Sequence, residues 1–240
     1  MQTYSYKKIR DNIWQIEEDN GVYCTLVQGS RLAMLVDTGY GRRDLRGFVE
    51  KNISTPYIVV NSHGHPDHIG GNYKFDTVCA AREEWDVIRH FESDGHMPYV
   101  LEELQIGQQI SLGDVNVEVV SLAGHTKGSV GFIILEEKIL IAGDALNESL
   151  WLFNYGSLPM KQLYETIRGA MELEFSSYLC GHSDLLYKKE KLAAHLRNIE
   201  NLKVDESTKK NTIGFETYCS VYEGDCGKSE IVFTADKAEE

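Results

Sequence analysis

Apolar positions along this chain fall into short blocks separated by Gly, Asn and Asp, and the blocks change period as the chain proceeds. The stretches "NIWQIEE", "VYCTLVQG" and "LAMLVDTG" are rich in β-branched, aromatic and aliphatic residues and predict a meander of β-strands. "RRDLRGFVEKN" reads as a helix leading into "YIVVNSH", a continuous apolar run of the kind a fully buried strand shows. "AAREEWDVIRHF" is expected to be helical and is followed by a loop with Gly95 and Pro98, then by the strands "VNVEVVSL", "SVGFIIL" and "KILIAGD". "SLPMKQLYETIRGAMEL" has helical spacing, with Ser157 and Pro159 placed to start it as cap and first-turn residue. "SSYLCGH" reads as a strand and "KKEKLAAHLRNIENL" as a helix, and the tail "FETYCSVYEGDCGKSEIVFTAD" holds two more strands. Runs of strands interrupted by helices predict the α/β or α+β class, with sheet packed on sheet and helices outside.

Composition narrows this picture. The chain has 240 residues, 42% hydrophobic and 25% charged, enough for one sizeable core, and no low-complexity linker divides it, so residues 1–240 are expected to form one domain. A formal net charge of -13 opposes phosphate backbones and anionic membrane surfaces, so neither nucleic acid nor membrane is an expected partner. The dense basic run Lys188, Lys189 and Lys191 reads as the solvated face of a helix. "MQTYSYKKIRDNIWQIEED" lacks the apolar centre of a signal peptide, and no apolar run approaches the ~20 residues of a membrane span, which predicts a cytoplasmic protein. Five scattered cysteines without a CxxC pair fit reduced thiols, and Cys219 and Cys226 are expected to stay unpaired.

The candidate chemistry lies in "VVNSHGHPDHIGGN", where His63, His65, Asp67 and His68 crowd the end of a predicted buried strand. Burying imidazoles and a carboxylate is costly unless each finds a partner, so a folding core gains nothing from them. On an extended strand end, His63 and His65 point the same way and converge, while the turn at Gly64 to Pro66 aims Asp67 and His68 at a neighbouring point. Two adjacent metal sites are the natural reading, and each ion needs about four ligands. Further donors stand at His125 in "SLAGHTKGS", Asp144 in "ILIAGDAL" and His182 in "YLCGHSD", each after an apolar run and a glycine. Gly70 and Gly71 are expected to let the backbone turn close to the site. His90, His96 and His195 are left as surface or helix residues.

With these residues the chain resembles the metallo-β-lactamase-fold hydrolases, through His-x-His-x-Asp-His followed by a separate His, Asp and His, over roughly Asn20 to Asp184. The resemblance implies a four-layer αββα sandwich with metals at one edge between the sheets. It implies that His63, His65 and His125 hold a first ion, that Asp67, His68 and His182 hold a second, and that Asp144 bridges them. Asp37 in "VDTG" matches a family position that supports the site by orienting a ligand imidazole.

The implied cofactors are two divalent ions, zinc first with iron or manganese as alternatives, and the implied reaction is attack of an activated water on an ester, thioester or lactone carbonyl of a small molecule. Asp67 is the candidate proton relay to the leaving group. Trp151, Phe153 and Tyr155 alternate after Asp144 and, if extended, share a face that walls a pocket or else packs on the following helix; Tyr40 is a further candidate at the mouth. Asp144 and the missing signal peptide separate the chain from secreted β-lactamases, and Asn147 stands where quorum-signal lactonases carry tyrosine. "GHTKGSVGF" resembles the glyoxalase II loop, without that family's basic glutathione-binding residues in the tail. A small phosphodiester substrate, mononuclear-iron persulfide oxidation and β-lactam hydrolysis are the alternatives, and a homodimer is left open.

Overall fold

The computed structural model describes residues 4–92 and 97–238; the predicted loop at Gly95 falls partly on 93–96, so Gly95 and His96 lie outside the described residues. Seven strands form the first sheet in chain order: β1 (Ser5–Arg10), β2 (Ile13–Glu17), β3 (Tyr23–Gln28), β4 (Ala33–Val36), β5 (Tyr57–Val60), β6 (Thr77–Ala81) and β7 (Val100–Leu104). The meander β1 to β4 is antiparallel, and β4 through β7 are parallel. Parallel pairing needs a crossover. Between β4 and β5 it is α1 (Leu45–Asn52), capped by the Asp44 carboxylate accepting from the Gly47 N–H. The short α2 (Pro66–Ile69) and α3 (Trp85–Phe91) follow β5 and β6, and strand β6 takes in Ala80 and Ala81, which open the predicted helix "AAREEWDVIRHF".

The second sheet contains β8 (Gln109–Ser111), β9 (Asn116–Ser121), β10 (Val130–Ile134), β11 (Ile139–Ile141), β13 (Ser177–Leu179) and β14 (Tyr187–Lys188), in the spatial order β14-β13-β11-β10-β9-β8. Its inner face meets that of the first sheet in one hydrophobic core, where Val27, Met34, Val36 and Val60 pack with Val117, Val119, Phe132 and Ile141. Leu26, Leu35 and Val59 point the other way, onto Leu45 and Val49 of α1. On the far side Leu122, Leu140 and Tyr178 pack on α4 (Met160–Glu172) and α5 (Leu192–Glu200) through Leu163, Ile167 and Leu192. Helix, sheet, sheet and helix make the expected four layers.

A third sheet departs from the sequence reading. The tail contains three strands, β15 (Thr208–Thr212), β16 (Phe215–Gly224) and β17 (Gly227–Phe233), and β12 (Ser149–Leu152) joins them in the order β12-β17-β16-β15. β12 pairs in parallel with β17, Trp151 opposite Val232. On β17, Ile231 and Phe233 enter the core shared with α4 and α5. Burying each is worth about 1.5–3 kcal/mol, which fixes this sheet to the body of the protein.

Three smaller expectations change and a fourth, on the cysteines, holds. His195 is fully buried on α5, its Nδ1 2.8 Å from Ser229 Oγ on β17, because α5 lies between the second and third sheets. The basic run is not a solvated helix face: Lys191 Nζ bonds Glu148 Oε2 at 2.8 Å and the Lys228 carbonyl at 2.7 Å, and Lys189 bonds the Leu173 carbonyl. Ser157 caps no helix; its hydroxyl donates to the His125 carbonyl at 3.0 Å, and Pro159 takes the N-cap position of α4 without a side-chain bond. All five cysteines, Cys219 and Cys226 included, are free thiols. No described helix is long and apolar enough to cross a membrane.

Candidate metal centre

Carboxyl ends of strands from both sheets deliver the chemistry to one edge. Past the end of β5 the chain runs through Ser62, His63 and His65 into α2, where Pro66 takes the first helical position and Asp67 and His68 follow. His125 follows β9, Asp144 follows β11 and His182 follows β13. At Gly181 an added Cβ would lie 2.3 Å from Asp144 Oδ1 and 2.6 Å from His68 Cε1, so only glycine lets the backbone pass there. The expected close turn at Gly70 and Gly71 is of the same kind, each packed against backbone of the loop containing Thr38 and Tyr40.

Seven donor side chains converge. Ligand atoms of His63, His65 and His125 lie within 4.8 Å of one another, and so do those of Asp67, His68 and His182. Asp144 stands between the groups, its carboxylate 3.8 Å from His125 Nε2, 3.2 Å from His68 Nε2 and 3.0 Å from His182 Nε2.

The outer nitrogen of four of the imidazoles is already committed. His65 Nε2 donates to the Tyr155 carbonyl at 3.1 Å, and His125 Nδ1 to the Trp151 carbonyl at 2.9 Å. His68 Nδ1 donates to Asp37 Oδ2 at 2.9 Å. Ser62 gives its hydroxyl proton to Asp37 Oδ2 at 2.7 Å, so its oxygen accepts from His63 Nδ1 at 3.1 Å. Asp37 adopts a φ of 64°, a left-handed conformation that Asp tolerates better than most residues, and with both oxygens in use it orients the others.

These partners assign an inward lone pair to each neutral ring. His65 Nδ1 and His125 Nε2 then face each other at 2.8 Å, an arrangement of two acceptors that calls for a cation. His63 Nε2 is buried with no hydrogen-bond partner, and His68 Nε2 and Asp144 Oδ1, 3.2 Å apart, are buried with no partner but each other. Unpartnered buried polar atoms are rare in native proteins and indicate an ion or a functional role. The donor set, nitrogen and carboxylate oxygen, suits zinc, iron or manganese, so the residues fit a metal centre.

The two groups differ electrically. Burial, reinforced by neighbouring histidines, depresses the pKa of His63, and burial also depresses His125 and takes His65 down to about 3. Burial opposes charge on His68 and His182 too, but Asp144 and its neighbouring carboxylates outweigh it, pushing His68 well up and His182 to about 9. Asp67 and Asp144 move down in return: burial works against them, and His68 and His182 prevail.

Glu84 has no signal in the sequence, being one carboxylate in "AREEW" with no ligand spacing around it. It is buried, and its Oε1 accepts from the Gly64 N–H at 2.8 Å. Oε2 accepts from Thr126 Oγ1 and the Gly128 N–H, both at 2.9 Å. One carboxylate thus ties the loop of His63 and His65 to the loop of His125. Burial raises its pKa to about 7 against the pull of these bonds.

A cavity of about 730 Å³ opens over the site, with Tyr40, Trp151, Asn20, Phe91 and Ile213 in its walls beside Asp67 and Asp144. Tyr40 and Trp151 therefore stand where the sequence reading expects a pocket, and the other two aromatics do not. Phe153 is buried against Cys219 and Val232, and Tyr155 stacks on His90 with centroids 3.8 Å apart. Phe153 still packs on Trp151, with ring centroids 5.1 Å apart, but is buried beside it, and because β12 ends at Leu152 the alternation does not reach Tyr155. The backbone of this segment serves the centre instead, through the carbonyls of Trp151 and Tyr155.

The chain is 27% identical over 190 residues to the acyl-coenzyme A thioesterase MBLAC2 of Homo sapiens, covering 61% of this chain and 67% of that protein. It is 26% identical over 219 residues to the hydroxyacylglutathione hydrolase of Pelagibacter ubique (strain HTCC1062), covering 85% and 88%. Its fold superposes on a metallo-beta-lactamase from Pontibacter korlensis with a TM-score of 0.69 at 18% identity, over 83% of this chain and all of that one. The family model of the metallo-beta-lactamase superfamily matches residues 18–182, the span that holds all seven converging donors, and the chain belongs to that superfamily.

Proposed function

We propose that this protein is a dinuclear metal-dependent hydrolase of small thioesters or esters. One observation carries the reading: four imidazoles, each fixed from outside with its other nitrogen turned inward, surround Asp144 together with Asp67 and His182. Support for the bond type comes from the two relatives, both named for thioester hydrolysis. His63, His65 and His125 would hold one ion, Asp67, His68 and His182 the other, and Asp144 would contact both. Zinc suits the donors best, and the five free thiols fit a reducing cytoplasm.

When bound, such ions supply Lewis acidity, bringing the pKa of a coordinated water toward 7 and polarising a carbonyl. The protein's own groups do the rest. Asp67, partly open to the cavity, accepts the proton of the attacking water and returns it to the leaving thiolate or alkoxide. Burial, and then the Asp67 charge, raises the pKa of Tyr40, which keeps its phenol protonated as a donor at the cavity wall. Asp37, Ser62 and the carbonyls of Trp151 and Tyr155 hold the imidazoles in register, so no ring must reorient during turnover.

Elemental analysis of purified protein, paired with hydrolysis of a simple acyl thioester before and after chelation, tests this. Two divalent ions per chain and chelator-sensitive cleavage are expected, and Asp67→Asn should keep a metal complement while losing at least a hundredfold in kcat, on the scale of general-base effects. A single iron per chain with oxygen uptake on thiol substrates would replace the reading.

A further inference from the structure

The cavity does not end at the metal centre. Its far wall is the third sheet, which lies outside the family match apart from β12. Alternation along β17 splits that sheet: Ser229, Ile231 and Phe233 face the α5 side and the core, while Lys228, Glu230 and Val232 take the other face, where the first two line the cavity. The β15–β16 hairpin leans over the same space. Phe215 anchors it on Phe153 with centroids 5.6 Å apart, and Ile213 at the tip joins the cavity wall.

Ile213 is the wrong residue for its turn. Thr212 pairs with Phe215, leaving a two-residue loop in which Ile213 has φ 43° and Gly214 φ 92°. Such a turn favours Asn-Gly, and a β-branched residue in the left-handed region is a genuine outlier. The residue is also 69% exposed, so no core packing compensates the strain. Strain kept at a cavity mouth indicates a use for the side chain there.

Charge limits what can bind. Lys228 is the sole Lys or Arg among the described lining residues, and Glu148 and Glu230 stand beside it on the same wall. Those carboxylates are themselves engaged, Glu148 by Lys191 at 2.8 Å and Glu230 by Lys210 at 3.7 Å. Phosphate groups are held by arginine clusters, several lysines or helix N-termini, none of which this wall offers.

We propose that the hairpin tip forms a specificity lip: Ile213 and Trp151 clasp an apolar or aromatic arm of the substrate, and the wall admits at most one negative charge, excluding nucleotide-bearing thioesters. This rests on the hydrolase reading above. It departs from the substrate class named for the human relative, because that class is polyanionic.

The test compares phenylacetyl and acetyl thioesters of N-acetylcysteamine with phenylacetyl-coenzyme A, using the metal-loaded full chain and its Ile213→Gly and Ile213→Asn variants. Both replacements suit the backbone, so melting temperatures should hold or rise. Expected are a kcat/KM at least tenfold higher for phenylacetyl-N-acetylcysteamine than for phenylacetyl-coenzyme A, and at least a tenfold fall in the phenylacetyl-to-acetyl ratio in both variants, carried by KM. Tryptophan fluorescence titrated with the non-hydrolysable thioether S-(2-phenylethyl)-N-acetylcysteamine should give a Kd at least fivefold weaker in the variants, with the signal lost in Trp151→Phe. Preference for the coenzyme A ester, or an unchanged ratio and Kd, overturns the lip. If wild type cleaves no thioester, the hydrolase reading fails, while the titration still decides the lip.

Discussion

His65 and His182 stand in one cluster yet face opposite electrical circumstances. Burial holds His65 at about 3, so it meets a cation already neutral, whereas the carboxylates hold His182 at about 9 and must release a proton before it can coordinate. The metal-free chain therefore gains stability from the raised His182, fully present below its ordinary value of 6.5 and lost as pH rises through about 9. Loading the group of Asp67, His68 and His182 at pH 7 should release about two protons, since ligands must be deprotonated. Its apparent affinity should climb with pH up to about 9 while that of the three-histidine group, whose imidazoles burial keeps neutral, stays flat above pH 6.5. Indicator-dye titration in weak buffer at several pH values checks this, and uptake of two ions with no proton release would show the assignment of charge to be wrong.

Among the elements, the 3₁₀ turn Arg82–Glu84 between β6 and α3 has the largest consequence for its size. Glu84 holds two loops that come from opposite sheets, and its folded pKa of about 7 lies above the ordinary 4.5. A carboxyl raised in this way adds stability in its protonated form below 4.5 and loses it as pH rises through about 7. Glu84→Gln keeps the volume but turns an amide NH₂ toward N–H and O–H donors. Metal affinity of the three-histidine group should fall about 10- to 100-fold, as for other residues that orient ligands. The loss of stability should be about 1–3 kcal/mol for a buried donor left unpaired. Competition with a chromogenic chelator, together with urea unfolding, reads both, and unchanged affinity would reduce Glu84 to a packing residue.

At the scale of the molecule, the centre joins the two sheets at one edge: His63 and His68 hang from the first, His125, Asp144 and His182 from the second. Bound ions would crosslink the sandwich, and a ligand at a hundred times its Kd stabilises by about 2.7 kcal/mol. Chelation should lower the melting temperature by roughly 5 to 10 °C, taking about 2–4 °C per kcal/mol for a chain of this size. Differential scanning calorimetry with and without chelator, and again after zinc is restored, measures it. A melting temperature indifferent to chelation would mean that no ion joins the sheets.

The sequence by itself determined the strands and helices with strong local period, the class, and the order of the seven candidate donors, from His63 to His182, that the fold brings together. Those features are local: an apolar run and the polar residue at its end are neighbours in the chain, and imidazole and carboxylate announce their chemistry wherever they fall. Tertiary structure alone decided the third sheet, because β12 finds β17 in parallel from Ser149 opposite Glu230, a pairing no local pattern encodes. It also decided what Glu84, His195 and Phe153 do. Each is ordinary in its own stretch of sequence and acquires a partner only when distant segments meet, Glu84 at Gly64 and Gly128, His195 at Ser229, Phe153 at Val232. Long-range pairing and burial set those partners, and both arise only once the chain has closed on itself.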